Sequence, residues 1–196
     1  MAEHSVETRR EEQAKPEYSA EERHLLLQLA HDAVAAALEK RTLDLTPPSE
    51  HLAEHRGAFT TLHEQGELRG CVGYVIPMYA LYRTIAETAV AAAFNDSRFL
   101  PVRAEELPRL RVEISVLSPM EPIDPEEVEV GRHGLIITYG NRRGLLLPQV
   151  PLEHHWDREM FLRQTCLKAG LPVDAWEHGA KVEAFTAEVF GENGPD

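Results

Sequence analysis

The chain has 196 residues, of which 43% are hydrophobic and 27% are charged, so it is long enough to bury a sizeable core. Its 20 Lys and Arg residues stand against 33 Asp and Glu residues, which gives a formal net charge of −13. This acidic balance disfavours duplex nucleic acid and acidic membrane surfaces as partners, because both are bound through clustered cations.

The cysteines and the polar ends of the chain indicate the compartment. Cys71 and Cys166 are each alone in their segment, so neither belongs to a redox pair or a zinc ribbon. Residues 1–18 are polar and carry no apolar stretch of the secretory kind, and no later stretch approaches the roughly 18 apolar residues of a transmembrane helix. We therefore expect a mobile polar tail over 1–18 and a location in the reducing cytoplasm.

The hydrophobic pattern predicts helices interleaved with strand pairs. Ser19 and Glu22 form a capping box that begins the first helix, and a period of two predicts a β-hairpin over 57–73. A helix is predicted from Pro77 to about Asn95, followed by a strand over 110–117. A second hairpin over 134–147 turns at Gly140 and Asn141. A helix capped by Asp157 and ended by Gly170 comes next, and a last strand covers 182–189. The absence of a βαβ repeat predicts an α+β fold with a mainly antiparallel sheet.

The segment with the most unusual chemistry is the hexapeptide at residues 68–73, Leu-Arg-Gly-Cys-Val-Gly. Its glycines permit close backbone approach, and Arg69 would favour the thiolate form of Cys71, which is the nucleophilic form. A free cysteine is also among the most buried residue types, so a packed, structural Cys71 is the alternative. Cys166, on the apolar stripe of its predicted helix, fits the structural role.

Two histidine-rich segments have residue types that can bind a metal ion. Residues 51–55 have the His-x-x-Glu-His order of an inverted zincin, but the nearby prolines and Gly57 leave little room for a long ligand helix. The adjacent His154 and His155 would point apart on a helix or a strand. We expect no metal and no cofactor, and motifs for ATP, dinucleotide, serine-hydrolase or iron–sulfur chemistry are missing from the sequence.

The order of motifs along the chain strongly resembles the AMMECR family. The similarity is clearest in residues 57–62 and 66–73, where Val72 replaces the usual isoleucine of the family hexapeptide. Ser97 replaces a more common proline in a further match over 96–99. Matches continue in order through residues 113–119, 131–134, 143–150, 156–157 and 166–171, so the similarity spans roughly residues 22–188.

This resemblance implies a domain over 19–190, made of two unequal, packed subdomains with the hexapeptide near the cleft between them, and a C-terminal tail over 191–196. It also implies that the protein works with a Memo-like protein and a radical SAM protein, as in the bacterial AmmeMemoRadiSam set. No reaction is firmly assigned to the family. Iron–sulfur chemistry would belong to the radical SAM partner, because this chain lacks clustered cysteines.

The resemblance makes the hexapeptide the expected site, with two readings. In the catalytic reading Cys71 is the nucleophile or covalent carrier, Arg69 assists the thiol or holds an anionic group, and His133 or Glu113 moves protons. The residues expected to bind a small molecule or a peptide segment are Gly70, Gly73, Arg98 and Gln149. In the other reading the hexapeptide is structural and the protein is a non-catalytic interaction module; an RNA-associated role is disfavoured by the charge.

Overall fold

The computed structural model describes residues 16–192, which form two four-stranded antiparallel sheets and five α-helices, the α+β fold that the sequence predicts. The helices are α1 (Ala20–Glu39), α2 (Glu50–Ala53), α3 (Leu81–Phe94), α4 (Val150–Glu153) and α5 (Arg158–Lys168). The strands are β1 (Ala58–Glu64), β2 (Glu67–Tyr74), β3 (Leu110–Leu117), β4 (Glu121–Pro122), β5 (Gly134–Tyr139), β6 (Arg142–Leu146), β7 (Lys181–Phe185) and β8 (Ala187–Gly191). Short 3-10 helices occupy Leu107–Arg109, Pro125–Glu127 and Ala175–His178.

The first sheet has the strand order β2-β1-β3-β8, and α1 and α3 cover one of its faces. Alternation along β1 buries Ala58 and Leu62 in the core, while Phe59 and Thr61 face the other side and stay partly exposed. The small residues Ala89 and Ala92 on the buried side of α3 let that helix pack closely on the sheet. One face of the sheet is therefore closed by helices and the other is open to the second half of the molecule.

The second sheet has the order β4-β7-β5-β6 and packs against α5. Its core contains Leu135 and Ile137 from β5 and Phe161 from α5. Cys166 is also fully buried there, as the apolar stripe predicts, and burial raises the pKa of its thiol. The predicted Asp157 cap is confirmed by a 2.8 Å hydrogen bond that its carboxylate accepts from the Met160 amide.

The chain crosses between the sheets at two neighbouring points. It passes from β3 to β4 after Ser118 and returns from β7 to β8 at Thr186. The Ser118 amide donates to the Thr186 carbonyl at 2.9 Å, and the Thr186 amide donates to Ser118 Oγ at 2.9 Å. The prediction of one strand over 182–189 is therefore wrong, because Thr186 bonds to the other crossing and the chain changes sheets there.

Two further expectations need correction. Pro77 does not open a helix: α3 begins four residues later, because Ala80 pairs with His55 and the Leu81 amide bonds to the Glu54 carbonyl at 2.8 Å. Tyr18, placed in the predicted polar tail, is only 1% exposed and belongs to the first core. The rest of that tail up to residue 15, and residues 193–196 of the C-terminal tail, lie outside the described residues.

No helix within residues 16–192 combines the length and the apolar character needed to cross a membrane.

Candidate functional site

A cleft of about 970 Å³ lies against the open face of the first sheet. Side chains of β1, β2, β3 and β8 form one wall. The opposite wall comes from the loop that precedes β5, from the segment that joins β6 to α4, and from α4 itself. Its residues are Gly131, Arg132, Leu147, Pro148, Gln149 and Leu152. The cleft is thus formed by both halves of the molecule, as the family resemblance implies.

Three side chains form a cross-strand row on the sheet wall. Thr61 lies directly opposite Cys71 on one side and directly opposite Glu113 on the other. Thr61 Oγ1 donates a hydrogen bond to Cys71 Sγ at 3.3 Å, and all three residues line the cleft. Within residues 16–192 the carboxylate of Glu113 has no hydrogen-bond or ion-pair partner. The row therefore places a thiol, a hydroxyl and an unpaired carboxylate on one surface.

The backbone of Cys71 is held from outside the sheet. The Cys71 amide points away from β1, and because β2 is an edge strand no further strand lies on that side. The amide donates instead to Asp96 Oδ2 at 2.9 Å. Asp96 also accepts hydrogen bonds from the amide, Nε and Nη2 of Arg98. The Arg98 guanidinium and the Cys71 amide hold the pKa of the Asp96 carboxyl well below its usual range. Sequence reasoning missed Asp96, whose only signal was its place in the matched segment 96–99.

Arg69 is directed away from the row by a β-bulge. Leu62 pairs with Gly70 and His63 pairs with Leu68, so Arg69 is left outside the register. Its guanidinium contacts Glu106 through Nε at 2.7 Å and Nη2 at 3.3 Å, and this contact lowers the pKa of the Glu106 carboxyl. The sequence predicts that Arg69 assists the thiol of Cys71 from two residues away; in the structure its guanidinium is paired with Glu106 instead.

The two hexapeptide glycines occupy places where a side chain has no room. A Cβ added to Gly70 would collide with the Ala92 carbonyl oxygen of α3, and one added to Gly73 would collide with the Phe59 ring. Neither glycine lines the cleft. In this respect the hexapeptide has the packing function of the structural reading, whereas Cys71 lies on the cleft surface as the catalytic reading requires.

The remaining predicted site residues divide between the cleft and its surroundings. Gln149 lines the cleft at the start of α4. Arg98 is bound to Asp96 outside the cleft lining. His133 also lies outside the lining: its Nδ1 accepts from the Glu129 amide at 3.0 Å, and burial together with Arg132 lowers its pKa, which favours a neutral ring. The cleft therefore brings together Cys71, Glu113 and Gln149 of the predicted set, and their roles stay predictions.

One group of side chains has the composition of a metal site. Ligand atoms of Glu17, His51 and Glu54 lie within 4.8 Å of one another. Arg56 Nη2 already contacts both carboxylates, at 2.5 Å and 2.8 Å, so a cation neutralises them. His55, the other histidine of the zincin-like pattern, lies beyond the end of α2 and pairs with Ala80. The two histidines therefore do not share a helix.

Glu188 on β8 lines the cleft and binds the segment that precedes α1. Its carboxylate accepts a 2.7 Å hydrogen bond from the Glu17 amide and a 2.8 Å hydrogen bond from Arg23 Nη2. Pro16, Glu17, Arg23 and Glu188 all line the cleft. The segment that precedes α1 is thereby fastened to the strand that follows the second crossing.

Comparisons with known proteins agree on one family. The AMMECR1 family model matches residues 27–190. A protein of Thermococcus gammatolerans is 50% identical over 162 residues, which cover 76% of this chain and 78% of that protein. Protein MK0488 of Methanopyrus kandleri is 42% identical over 188 residues, which cover 90% of this chain and 91% of that protein. The crystal structure of the uncharacterized protein PH0010 from Pyrococcus horikoshii matches with a TM-score of 0.69 at 42% identity, over 86% of this chain and 90% of that chain.

Proposed function

Since the chain belongs to the AMMECR1 family, we propose that it acts with a Memo-like protein and a radical SAM protein in a modification pathway. Its part is to bind a small molecule or a peptide segment in the cleft and to join it covalently to Cys71. The observation that carries this proposal is the row of Cys71, Thr61 and Glu113 on the cleft wall. A nucleophile, a donor to it and an unpaired carboxylate on one surface are the parts that covalent catalysis requires.

The proposed step is a substitution at an electrophilic carbon of the ligand. Cys71 Sγ forms a bond to that carbon, the bond to the leaving group breaks, and the leaving group departs with the thiol proton. The hydroxyl of Thr61 donates to the sulfur and favours negative charge on it. Glu113, two strand spacings (about 10 Å) from Cys71 across Thr61, takes the proton through water in the cleft and delivers it to the leaving group as a general base and acid.

A thiol reaction of this kind requires a compartment that keeps Cys71 reduced. Cys71 and Cys166 are both free, and Cys166 is buried away from the cleft in the second core. The proposal therefore places the protein in the reducing cytoplasm. Cell fractionation with alkylation of thiols at the moment of lysis tests this location, and recovery of Cys71 in a disulfide would contradict it.

A non-catalytic docking module is the second candidate function. The exposed apolar side chains of Leu152 and Val189, 54% and 53% exposed, lie on opposite walls of the cleft and would suit an apolar segment of a partner protein. The packing of Gly70 and Gly73 also explains much of the hexapeptide without chemistry. In this function the partner fills the cleft and Cys71 does not react.

Alkylation of Cys71 distinguishes the two functions. In a Cys166→Ala background, iodoacetamide is added to the folded protein and the labelled mass is followed over time. The covalent function predicts labelling of the folded chain, slowed about two- to fivefold in Thr61→Val, which loses the donor to the sulfur, and unchanged in the matched Ser115→Ala, which lies on the same wall outside the row. Labelling only after denaturation would overturn the covalent function and favour the docking module.

The partners are tested separately from the thiol. The purified chain is mixed with the Memo-like protein and with the radical SAM protein, and complex formation is measured by sedimentation velocity. Leu152→Asp places a charge on the exposed wall of the cleft, whereas Leu167→Asp places one on an exposed position of α5 outside it. Loss of binding in Leu152→Asp alone supports docking at the cleft; absence of binding by the unaltered chain to either protein contradicts the partner proposal.

A further inference from the structure

The backbone amide of Cys71 is bonded to one member of a charged pair. Asp96 Oδ2 accepts hydrogen bonds from the Cys71 amide at 2.9 Å and from Arg98 Nη2 at 2.7 Å. Arg98 Nη2 therefore lies at most 5.6 Å from the Cys71 nitrogen, the sum of those two distances. The Asp96 side chain is 6% exposed, and that of Arg98 is 56% exposed. A buried anion and its cation thus share one contact point on the backbone of Cys71.

The two charges act on Cys71 in opposite directions. A carboxylate bonded to the backbone of a residue disfavours a further negative charge beside it, and a guanidinium paired with that carboxylate offsets the effect. Arg98 binds Asp96 through its amide, Nε and Nη2, so both parts of the pair are held in place. The pKa of Arg98 is raised chiefly by its hydrogen bonds to Asp96. Arg69, which sequence spacing suggested for this role, is instead paired with Glu106.

We propose that Asp96 and Arg98 form a positioning pair for Cys71, in which Asp96 fixes the Cys71 backbone and Arg98 neutralises the carboxylate beside the thiol. Asp96 orients Sγ toward the cleft by holding the edge strand through the Cys71 amide. Arg98 sets how readily the Cys71 thiol reacts, because it cancels the negative charge of Asp96. This inference rests on the proposed function, since it assigns how the reacting thiol is controlled.

The test uses variants with opposite expected effects. In a Cys166→Ala background, the rate of iodoacetamide alkylation and the far-ultraviolet absorbance of the thiolate are measured at neutral pH. Arg98→Gln leaves the Asp96 charge uncompensated and is expected to slow alkylation about three- to tenfold. Asp96→Asn keeps an oxygen for the Cys71 amide but removes the charge, so alkylation is expected to rise about threefold. Arg98→Lys keeps the charge and stays within about twofold of the parent.

The outcomes separate this inference from the proposed function. A loosened structure would change alkylation in the same direction in Asp96→Asn and Arg98→Gln, and such a result overturns the positioning pair. A larger effect of Arg69→Gln than of Arg98→Gln also overturns it. If the parent reacts and neither variant differs, the inference fails while the covalent function stands. If the folded parent does not react at all, both fail. If Asp96→Asn does not fold, the alkylation rates of Arg98→Gln and Arg98→Lys test the pair on their own. Equal rates for these two variants overturn the inference.

Discussion

The hydroxyl of Thr61 donates a hydrogen bond to the thiol sulfur of Cys71 at 3.3 Å, across the pair formed by β1 and β2. The Cys71 amide donates to Asp96 and not to β1, so Cys71 and Thr61 form a non-hydrogen-bonded antiparallel pair. In such a pair the side chains of the two residues lie closest together. The edge position of β2 therefore decides both contacts: the backbone of Cys71 turns outward to Asp96, and its side chain meets Thr61 on the cleft wall.

Thr61→Val is expected to slow alkylation of Cys71 about two- to fivefold, because valine has the shape of threonine but no donor for the sulfur. Thr61→Ser keeps the hydroxyl and is expected to retain most of the parent rate. Both rates are measured in the Cys166→Ala background by mass spectrometry. Equal rates for the valine variant and the parent would remove Thr61 from the reacting row.

Gly70→Ala is expected to lower the free energy of unfolding by about 2–3 kcal/mol, because the added methyl group meets a backbone carbonyl of α3 that cannot move aside easily. Gly140→Ala is the matched control. Gly140 has open space around it but a φ of +60°, so its alanine variant loses only about 1 kcal/mol from the left-handed backbone. Urea unfolding measures both values, and equal losses would contradict the close approach of β2 and α3.

Arg69→Gln is expected to lower the free energy of unfolding by about 2 kcal/mol near neutral pH, because it leaves the mostly buried Glu106 carboxylate without its ion-pair partner and with only the Arg103 amide as a donor. Arg69 holds the pKa of Glu106 below its ordinary value of 4.5. The stability from this shift is fully present above pH 4.5 and is lost as the pH falls through the lower folded-state value. The difference in the free energy of unfolding between the parent and the variant therefore becomes smaller in acid.

Urea unfolding at neutral pH and at about pH 3.5 measures this difference. The exposed pair of Arg83 and Glu87 on α3 is the control, and Arg83→Gln is expected to change stability by less than about 0.5 kcal/mol at either pH. If the difference in the free energy of unfolding between the parent and Arg69→Gln stays constant as the pH falls, the ion pair is not the source of that difference.

Glu188→Ala is expected to release residues 16–18 from β8, because the carboxylate accepts hydrogen bonds from the backbone there and from Arg23. Amide hydrogen exchange at Glu17 and Tyr18 should quicken at least tenfold relative to the parent. Glu192→Ala is the matched control, since Glu192 binds the Val112 amide and His31 instead. Unchanged exchange at Glu17 in the Glu188 variant would mean that the burial of Tyr18 alone holds this segment in place.

Local chemistry was sufficient to predict much of the fold. The capping box of Ser19 and Glu22 is present, and Asp157 begins α5. Gly140 has the positive φ that the predicted turn uses, and Gly170 ends α5 with a φ of +69°. Each of these features depends on residues within a few positions of one another, so the amino-acid order alone specifies them. The family motifs also pointed to Cys71 and Glu113, which the fold then brings to one row.

Tertiary structure decided the features that depend on distant partners. β7 and β8 are separate strands because the Thr186 amide and carbonyl form hydrogen bonds with Ser118, which is far away in sequence. The bulge at Arg69 depends on the register between β1 and β2. The Arg69 side chain there forms an ion pair with Glu106. Asp96 reaches Cys71 only because α3 ends beside the edge strand. Periodicity reports which face of an element is apolar; which neighbour lies against it is settled by long-range packing and hydrogen bonding.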